Sequence, residues 1–375
     1  MRTTKVVHMT SVHTPFDPRI FHKECCSLAR AGYSVTVIGR DWKEGERDSV
    51  KVKSIPGTSS RIGRMTRVIW GVYLEARRQD ADVYHFHDPE LIPIGLLLRA
   101  SGKKVIYDIH EDVPKDILSK SYLPKWTRFF ISRFADVLER AAGGRFSALV
   151  VVTPSIAKRF VPVNPHTIIV HNYPYVRELI RDGDDVAWES RRPSVAYVGG
   201  LSVLRSPREM VYSMSHLPES LAAQLELAGP TPKGDTTLDE LKRHPGWMRV
   251  QHHGFIDQRS TFDILRNVRG GLVLYHPDPN HFEALPQKMF EYMGAGLPVI
   301  ASDFPFWRKI LGKSDCAIFV DPQNPKEISQ AIEYVLTHPR EAEEMGRRGQ
   351  ATVLKNFNWD MEAEKLIQLY GAIHN

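Results

Sequence analysis

Glu283 and Glu291, eight positions apart, frame a proline and a lysine that could do chemistry together. Pro286 suits the first position of a helix, where its missing N–H costs nothing. Met289, Tyr292 and Met293 then follow at helical spacing, Gly294-Ala-Gly296 ends the helix, and residues 298–301 read as a strand. This layout leaves the backbone N–H groups of Gln287, Lys288 and Met289 unpaired at the positive end of a helix dipole, with the Lys288 ammonium beside them. Such a place binds phosphate. At helical rise the two glutamates stand roughly 12 Å apart. Two carboxylates cleaving one glycosidic bond sit closer, about 5 to 9.5 Å. Glu283 and Glu291 therefore suit the two ends of one extended ligand, each holding hydroxyls, with phosphate between them. A nucleotide-sugar has that shape.

The elements that must position these residues form two α/β patterns. In the first half, strands are expected at 6–9, 34–38, 83–86, 104–107 and 148–152, with a helix opening at Pro18 and running through Leu28 to Gly32. That is the doubly wound arrangement, whose parallel sheets bind ligands at the carboxyl ends of the strands. The residues after those strands are polar: Ser11-Val-His-Thr-Pro-Phe-Asp-Pro-Arg19, His87-Asp-Pro-Glu90 and Asp108-Ile-His-Glu-Asp112. His13, Asp17, Arg19, His87, Asp108 and His110 are thus candidates for one wall of a cleft. Each has a plainer alternative. Asp17 before Pro18 is a good N-cap, and Asp108 could cap the next helix. His85 and His87 share a strand face and could pair on a metal, but no third ligand is obvious.

A second pattern starts at 194–198, after a break marked by Asn172-Tyr-Pro-Tyr175 and the acidic run Asp182-Gly-Asp-Asp185. Its first strand ends in Gly199-Gly200-Leu-Ser-Val-Leu-Arg205, a glycine turn where missing Cβ atoms let a backbone approach phosphate. Further strand-to-loop junctions fall at 225–230 and 250–257, the latter holding Gly254, Phe255 and Ile256, and a strand at 271–275 leads through the loop 276–282 into the Glu283 segment.

The length of 375 residues exceeds one ordinary core, so two domains are expected. A hydrophobic share of 42% with 25% charged residues is that of a globular protein without a membrane span. Met1-Arg-Thr-Thr-Lys5 leads directly into a strand without the apolar core of a secretory signal, so a cytoplasmic location is expected. Three cysteines, Cys25, Cys26 and Cys316, form neither a disulfide framework nor a metal spacing. Residues 1–180 hold 28 Lys/Arg against 18 Asp/Glu, a net +10, whereas residues 181–375 hold 22 against 26, a net −4. Nothing in the basic half has the pattern of a nucleic-acid reader. An anionic acceptor or an anionic membrane suits it better. Two segments, 61–70 and 122–134, place Arg and Lys beside large apolar side chains at near-helical spacing; they can lie in a membrane interface or turn their apolar side to the core.

The run from Glu283 to Glu291 followed by Gly296-Leu-Pro-Val-Ile-Ala-Ser-Asp303 resembles the donor-site signature of GT-B glycosyltransferases, specifically the retaining family GT4. His13-Thr-Pro-Phe-Asp-Pro-Arg19, His85-Phe-His-Asp-Pro-Glu-Leu91 and Tyr107-Asp-Ile-His-Glu-Asp112 resemble the acceptor side of a cell-surface-polysaccharide subgroup of that family. The resemblance implies two Rossmann-like doubly wound domains facing a central cleft: residues 1–175 on the acceptor side, a linker at 176–193, a donor domain at 194–356, and a C-terminal helix at 357–375 crossing back. It implies a UDP- or GDP-linked sugar donor as substrate, no metal requirement, a glycan or polyprenyl-linked acceptor, and retention of configuration with the diphosphate itself taking the acceptor proton. Glu283 would hold sugar hydroxyls, Glu291 the ribose, and His110 would touch the sugar. Arg205 and Lys288 would neutralise the leaving diphosphate, with Gly199, Gly200, Ala284, Leu285, Pro286 and Gln287 around it and Gly254, Phe255 and Ile256 against the base. An inverting enzyme would instead need a base, for which Asp17 and Asp108 are the candidates. Two departures stand out. Gly200 occupies the position of one of the family's two basic clamps, with Lys288 the candidate substitute, and the first loop lacks paired glycines. A nucleotide-sugar epimerase and a non-catalytic sugar-binding homologue share the architecture, and a phosphorylase would carry a pyridoxal phosphate lysine for which no motif is present.

Overall fold

A computed structural model of the chain describes residues 3–58, 60, 63–119, 124–175, 186–232 and 234–374. It divides into two compact units, Met1–Asn172 with Trp359–Asn375, and Tyr173–Asn358. The acidic run 182–185 lies outside the described residues.

The first unit is built on the strands β1 (Lys5–Met9), β2 (Ser34–Arg40), β3 (Gly45–Arg47), β4 (Val50–Ile55), β5 (Val83–Phe86), β6 (Lys104–Ile109), β7 (Ala148–Val151) and β8 (Thr167–Ile169). They form one sheet in the order β3-β4-β2-β1-β5-β6-β7-β8, in which only the β3–β4 pair is antiparallel. The central strands are apolar on both faces because helices cover both: Val6, Val7, Met9, Val83, Phe86, Val105, Ile106, Leu149 and Val150 are all buried. β6 runs two residues past the expected end, so Asp108 lies inside a strand rather than at a helix cap. Strands β3, β4 and β8 were not anticipated. β4 follows the alternation Val50-Lys-Val-Lys, the half-buried strand pattern.

Asp17 caps the following turn as expected, its Oδ1 accepting from Arg19 N at 2.9 Å and Ile20 N at 3.1 Å. That turn, Pro18–Cys25, is π-helical and continues as an α-helix over Cys26–Arg30. The C-terminal helix Trp359–His374 packs within this unit, where Trp359 Nε1 donates to Ser27 Oγ at 2.9 Å.

The second unit carries β9 (Ser194–Val198), β10 (Gln224–Ala228), β11 (Val250–Gly254), β12 (Gly270–Val273), β13 (Val299–Ser302) and β14 (Ala317–Val320), all parallel in the order β11-β10-β9-β12-β13-β14. Cys25, Cys26 and Cys316 are free and buried. Among the described residues no helix is long and apolar enough to cross a membrane.

The helix Lys125–Gly143 turns its aromatic side outward. It buries Ser132, Glu139, Ala142 and Gly143, while Trp126 and Phe134 are 70% and 69% exposed and Phe129, Phe130, Val137 and Leu138 are also exposed. The core-facing alternative for this segment is therefore wrong, because its inward positions are small or polar. In the other basic segment Met65 and Trp70 are likewise exposed. Arg61, Ile62, Tyr122 and Leu123 fall outside the described residues.

Candidate active site

In the second unit the strand ends of β9, β10 and β11 each close on a glycine in the left-handed region: Gly199 at φ 145°, Gly229 at 139° and Gly254 at 66°. A Cβ on Gly229 would strike the Gly199 carbonyl, so the two loops approach as only glycines can. Hydrogen bonds lace them together: Gly199 N to Ala228 O at 2.9 Å, Leu201 N to Pro230 O at 2.9 Å, and Gly229 N to Gly254 O at 2.7 Å. Phe255 beyond them is 80% exposed and Ile256 half-buried.

Lys288 enters this turn from the signature helix, which spans Gln287–Gly294 with Pro286 as its N-cap residue. Met289, Phe290, Tyr292 and Met293 anchor that helix in the core. Tyr292 fits because Gly271 leaves room for its ring, and its hydroxyl accepts from Val198 N at 2.8 Å. The preceding loop is pinned by Trp307 Nε1, which donates to Ala284 O at 2.8 Å, and Leu285 packs against the same core. One expected donor is spoken for, since Met289 N bonds Pro286 O at 3.0 Å.

Lys288 is the unusual residue. It is buried, and its Nζ has no hydrogen-bond partner among the described residues. The ammonium rests 3.7 Å from the centre of the Tyr197 ring and 5.7 Å from that of Tyr275, beside Gly199, where an added Cβ would collide with Nζ. Burial and the neighbouring Arg205 push its pKa well below the usual lysine range, with Glu291 pulling the other way. Ring faces recover part of the lost solvation of a cation, but an unpaired buried charge remains costly. Arg205 ends a 3-10 turn, Val203–Arg205, with Nη1 3.5 Å from Gly200 O and its guanidinium 5.8 Å from the Tyr275 ring. A Cβ at Gly200 would stand only 2.9 Å from Arg205 Nη1. The glycine where the family carries a clamp thus makes room for Arg205. Glu291 accepts from Gln287 Nε2 at 2.5 Å across one helical turn, and Glu283 is exposed in the loop before the helix.

The sequence reading missed Tyr197 and gave Tyr275 and His276 only as part of a loop expected to choose the sugar; Tyr197 and Tyr275 lie under Lys288, and His276 Nε2 stands 3.0 Å from Glu209 Oε1, bracing the incoming loop. Tyrosines at strand ends look like core residues in a sequence, and only their place under Lys288 marks them.

In the first unit the expected residues separate into an outer and an inner set. His13 is part-exposed, with Nδ1 3.3 Å from Asp17 and Nε2 3.5 Å from Asp88. The hydrogen bond with Asp17 raises its pKa, and Asp17 is lowered despite its burial. Asp88 organises the first loop, accepting from Thr10 Oγ1 at 2.7 Å, Ser11 N at 2.6 Å and Val12 N at 3.1 Å. His110 is half-buried, with Nε2 3.1 Å from Asp108 Oδ2.

Behind it Arg19, His87 and Asp108 are buried, so none is a surface for an acceptor and Asp108 is no solvent-facing base. Arg19 grips Asp108 through Nη2 at 3.0 Å and Nε at 3.2 Å and donates to Val170 O at 3.1 Å. Burial alone would raise the Asp108 carboxyl; Arg19 and His110 hold it well below the usual range instead. Glu24 meets Arg19 Nε at 3.0 Å without an aligned hydrogen bond, and burial raises its pKa. The third and fourth candidate metal ligands that the sequence did not show are here: His8, Glu24, His85 and His87 bring ligand atoms within 4.8 Å of one another. Most of those nitrogens already bond one another or Tyr370.

Comparison with known proteins agrees with this architecture. Residues 18–172 match the family described as Glycosyltransferase Family 4, and residues 205–368 match the family described as Glycosyl transferase-like. Spore coat protein SA of Bacillus subtilis is 27% identical over 182 residues, which are 47% of this chain and 48% of that protein, so the chain spans about half the length of this relative. The MMP alpha-(1->4)-mannosyltransferase of Mycolicibacterium hassiacum is 22% identical over 309 residues, covering 79% of this chain and 72% of the relative. Among solved structures, sucrose-phosphate synthase from Thermosynechococcus elongatus superposes with a TM-score of 0.77 at 17% identity over 99% of both chains. Anabaena HepE in complex with UDP-glucose superposes with a TM-score of 0.73 at 14% identity, covering 98% of this chain and 99% of that one. With a largely parallel sheet in the first unit, an all-parallel sheet in the second, and glycosyltransferase families matched along most of its length, this chain belongs to the GT-B glycosyltransferases of the GT4 type.

Proposed function

We propose that the chain transfers a sugar from a nucleotide-diphosphate donor to a glycan or lipid-linked acceptor of the cell envelope, with retention of configuration. The observation that carries this reading is the buried Lys288 ammonium, without a hydrogen-bond partner among the described residues, set against Tyr197 beside the Gly199-Gly200 turn and next to Arg205. The buried Lys288 at a helix N-terminus and the part-buried Arg205 beside it stabilise the charge that grows on a departing diphosphate. Glu291 holds the ribose, Glu283 the sugar hydroxyls, the Gly254–Ile256 backbone the base, and His110 meets the sugar. In the retaining reaction the acceptor hydroxyl attacks the anomeric carbon, the bond to the diphosphate oxygen breaks, and that oxygen takes the acceptor proton. No protein base is then needed, which suits a unit whose carboxylates Asp108 and Asp17 are occupied by Arg19 and His13.

The exposed aromatic side of Lys125–Gly143, with Lys125, Arg128 and Arg133 interleaved, suits contact with an anionic membrane, as a lipid-linked acceptor at the inner face of the cell membrane would require. The test of the whole reading is a panel of UDP-, GDP- and dTDP-sugars, measured for binding and slow hydrolysis beside Arg205→Ala and Glu283→Ala. One donor hydrolysed by the parent chain and by neither variant supports it. Failure of every nucleotide-sugar to bind overturns it.

A further inference from the structure

His85 in β5 and His87 just past its end share a face, and folding brings two further ligands to them. His8 pairs in register with His85 from the neighbouring strand β1, and Glu24 comes from the π-helical turn Pro18–Cys25. All four side chains are buried. Neither carboxylate oxygen of Glu24 has a hydrogen-bond partner among the described residues, although buried polar atoms ordinarily have one. His8 Nδ1 stands 2.9 Å from His87 Nε2 and 3.9 Å from Glu24 Oε2, which is also 3.9 Å from His85 Nδ1. Taken together, one ligand atom from each residue lies within 4.8 Å of the others. A tetrahedral zinc ion with bonds of about 2.0 to 2.1 Å holds its ligands about 3.3 Å apart. The observed spacings straddle that value.

The outward atoms of these groups are braced as metal ligands usually are. His87 turns Nδ1 to His110 Nε2 at 3.1 Å and Asp108 Oδ2 at 3.5 Å, His8 turns Nε2 to the Tyr370 hydroxyl at 3.3 Å, and Glu24 Oε1 stands 3.0 Å from Arg19 Nε. The Tyr370 hydroxyl also meets His85 Nδ1 at 2.8 Å, and it keeps His8 as a partner when that lone pair goes to a metal. A second group, Glu24, His87, Asp108 and His110, converges as closely, but Arg19 already occupies both oxygens of Asp108.

We propose that His8, Glu24, His85 and His87 form a structural zinc site. Three imidazoles and one carboxylate suit zinc rather than magnesium or calcium, which take oxygen ligands. Four protein ligands in a closed, buried set leave no position for a substrate. The metal therefore ties the ends of β1 and β5 to the turn Pro18–Cys25 and takes no part in sugar transfer.

The test is the zinc content and coordination of the full chain, purified without a histidine tag and dialysed. About one equivalent is expected as isolated or after refolding from denaturant with zinc chloride, because a closed site loads as the chain folds. X-ray absorption at the zinc edge should show four nitrogen or oxygen neighbours at about 2.0 to 2.1 Å, with outer scattering from three imidazoles. Glu24→Gln keeps the size of the side chain and removes the anionic ligand, so zinc content should fall at least about tenfold. Less than about 0.1 equivalent under both loading conditions overturns the proposal, as does a six-coordinate oxygen shell or zinc retained undiminished in Glu24→Gln. If that variant does not fold, the absorption spectrum of the parent chain decides alone. No sugar donor enters these measurements, so their outcome is separate from that of the transfer reading.

Discussion

Arg19 in the first unit and Lys288 in the second are both buried cations, and the fold treats them in opposite ways. Arg19 lies between two carboxylates and a carbonyl, with Asp108, Glu24 and Val170 all within 3.2 Å. Lys288 has two aromatic faces and, among the described residues, no acceptor. A saturated cation holds a scaffold together; on the proposed reading the unsaturated one receives the donor's diphosphate. Buried ion pairs roughly balance desolvation against attraction, so breaking one is what costs. An unpaired ammonium costs the free protein stability, which a bound diphosphate would restore under the proposed function.

That contrast predicts opposite outcomes for matched substitutions. Arg19→Met leaves the buried Asp108 carboxylate without its guanidinium partner and should lower stability by about 3 to 5 kcal/mol, read from denaturant unfolding. Lys288→Met should leave the unfolding midpoint unchanged or higher while reducing donor turnover by about 10²- to 10³-fold, the usual loss for one preorganised charge-stabilising donor. If Lys288→Met unfolds the chain as Arg19→Met does, the distinction between scaffold and seat collapses. Gly199→Ala sharpens it further. Its φ of 145° is a glycine conformation and its Cβ would press on Lys288 Nζ, so donor affinity should drop by about 1 to 3 kcal/mol with the fold retained, measured by calorimetric titration. Smallest is Arg133→Gln on the exposed helix, which should weaken binding to anionic vesicles by about fivefold and leave hydrolysis of free donor unchanged.

Much of the second unit was readable from the chain because its signals are local. Pro286 marks a helix start, Gly294-Ala-Gly296 its end, and the apolar run into β13 its continuation. Gly199 announces a turn in a conformation that favours glycine. The first unit was harder because its order comes from contacts distant in sequence. Asp108 and Arg19 are 89 positions apart and Tyr370 and His8 are 362 apart. Asp108, His87 and Arg19 looked like cleft residues because polar side chains near strand ends usually are; here they are buried in one another. The aromatic helix was left with two readings, since spacing alone does not say which face a helix turns inward, and the small residues Ser132, Ala142 and Gly143 do.

The most direct test of the central claim is proton uptake on binding UDP, measured calorimetrically in buffers of different ionisation heat. The folded lysine is lowered well below the ordinary value, so in the alkaline window above that lowered pKa it is neutral when the seat is empty. A diphosphate beside it raises the pKa again, so binding must draw in a proton there and weaken as pH rises through the window. The account predicts uptake in the parent chain that disappears in Lys288→Met. Equal uptake in both proteins, or none at any alkaline pH where UDP binds, would contradict it.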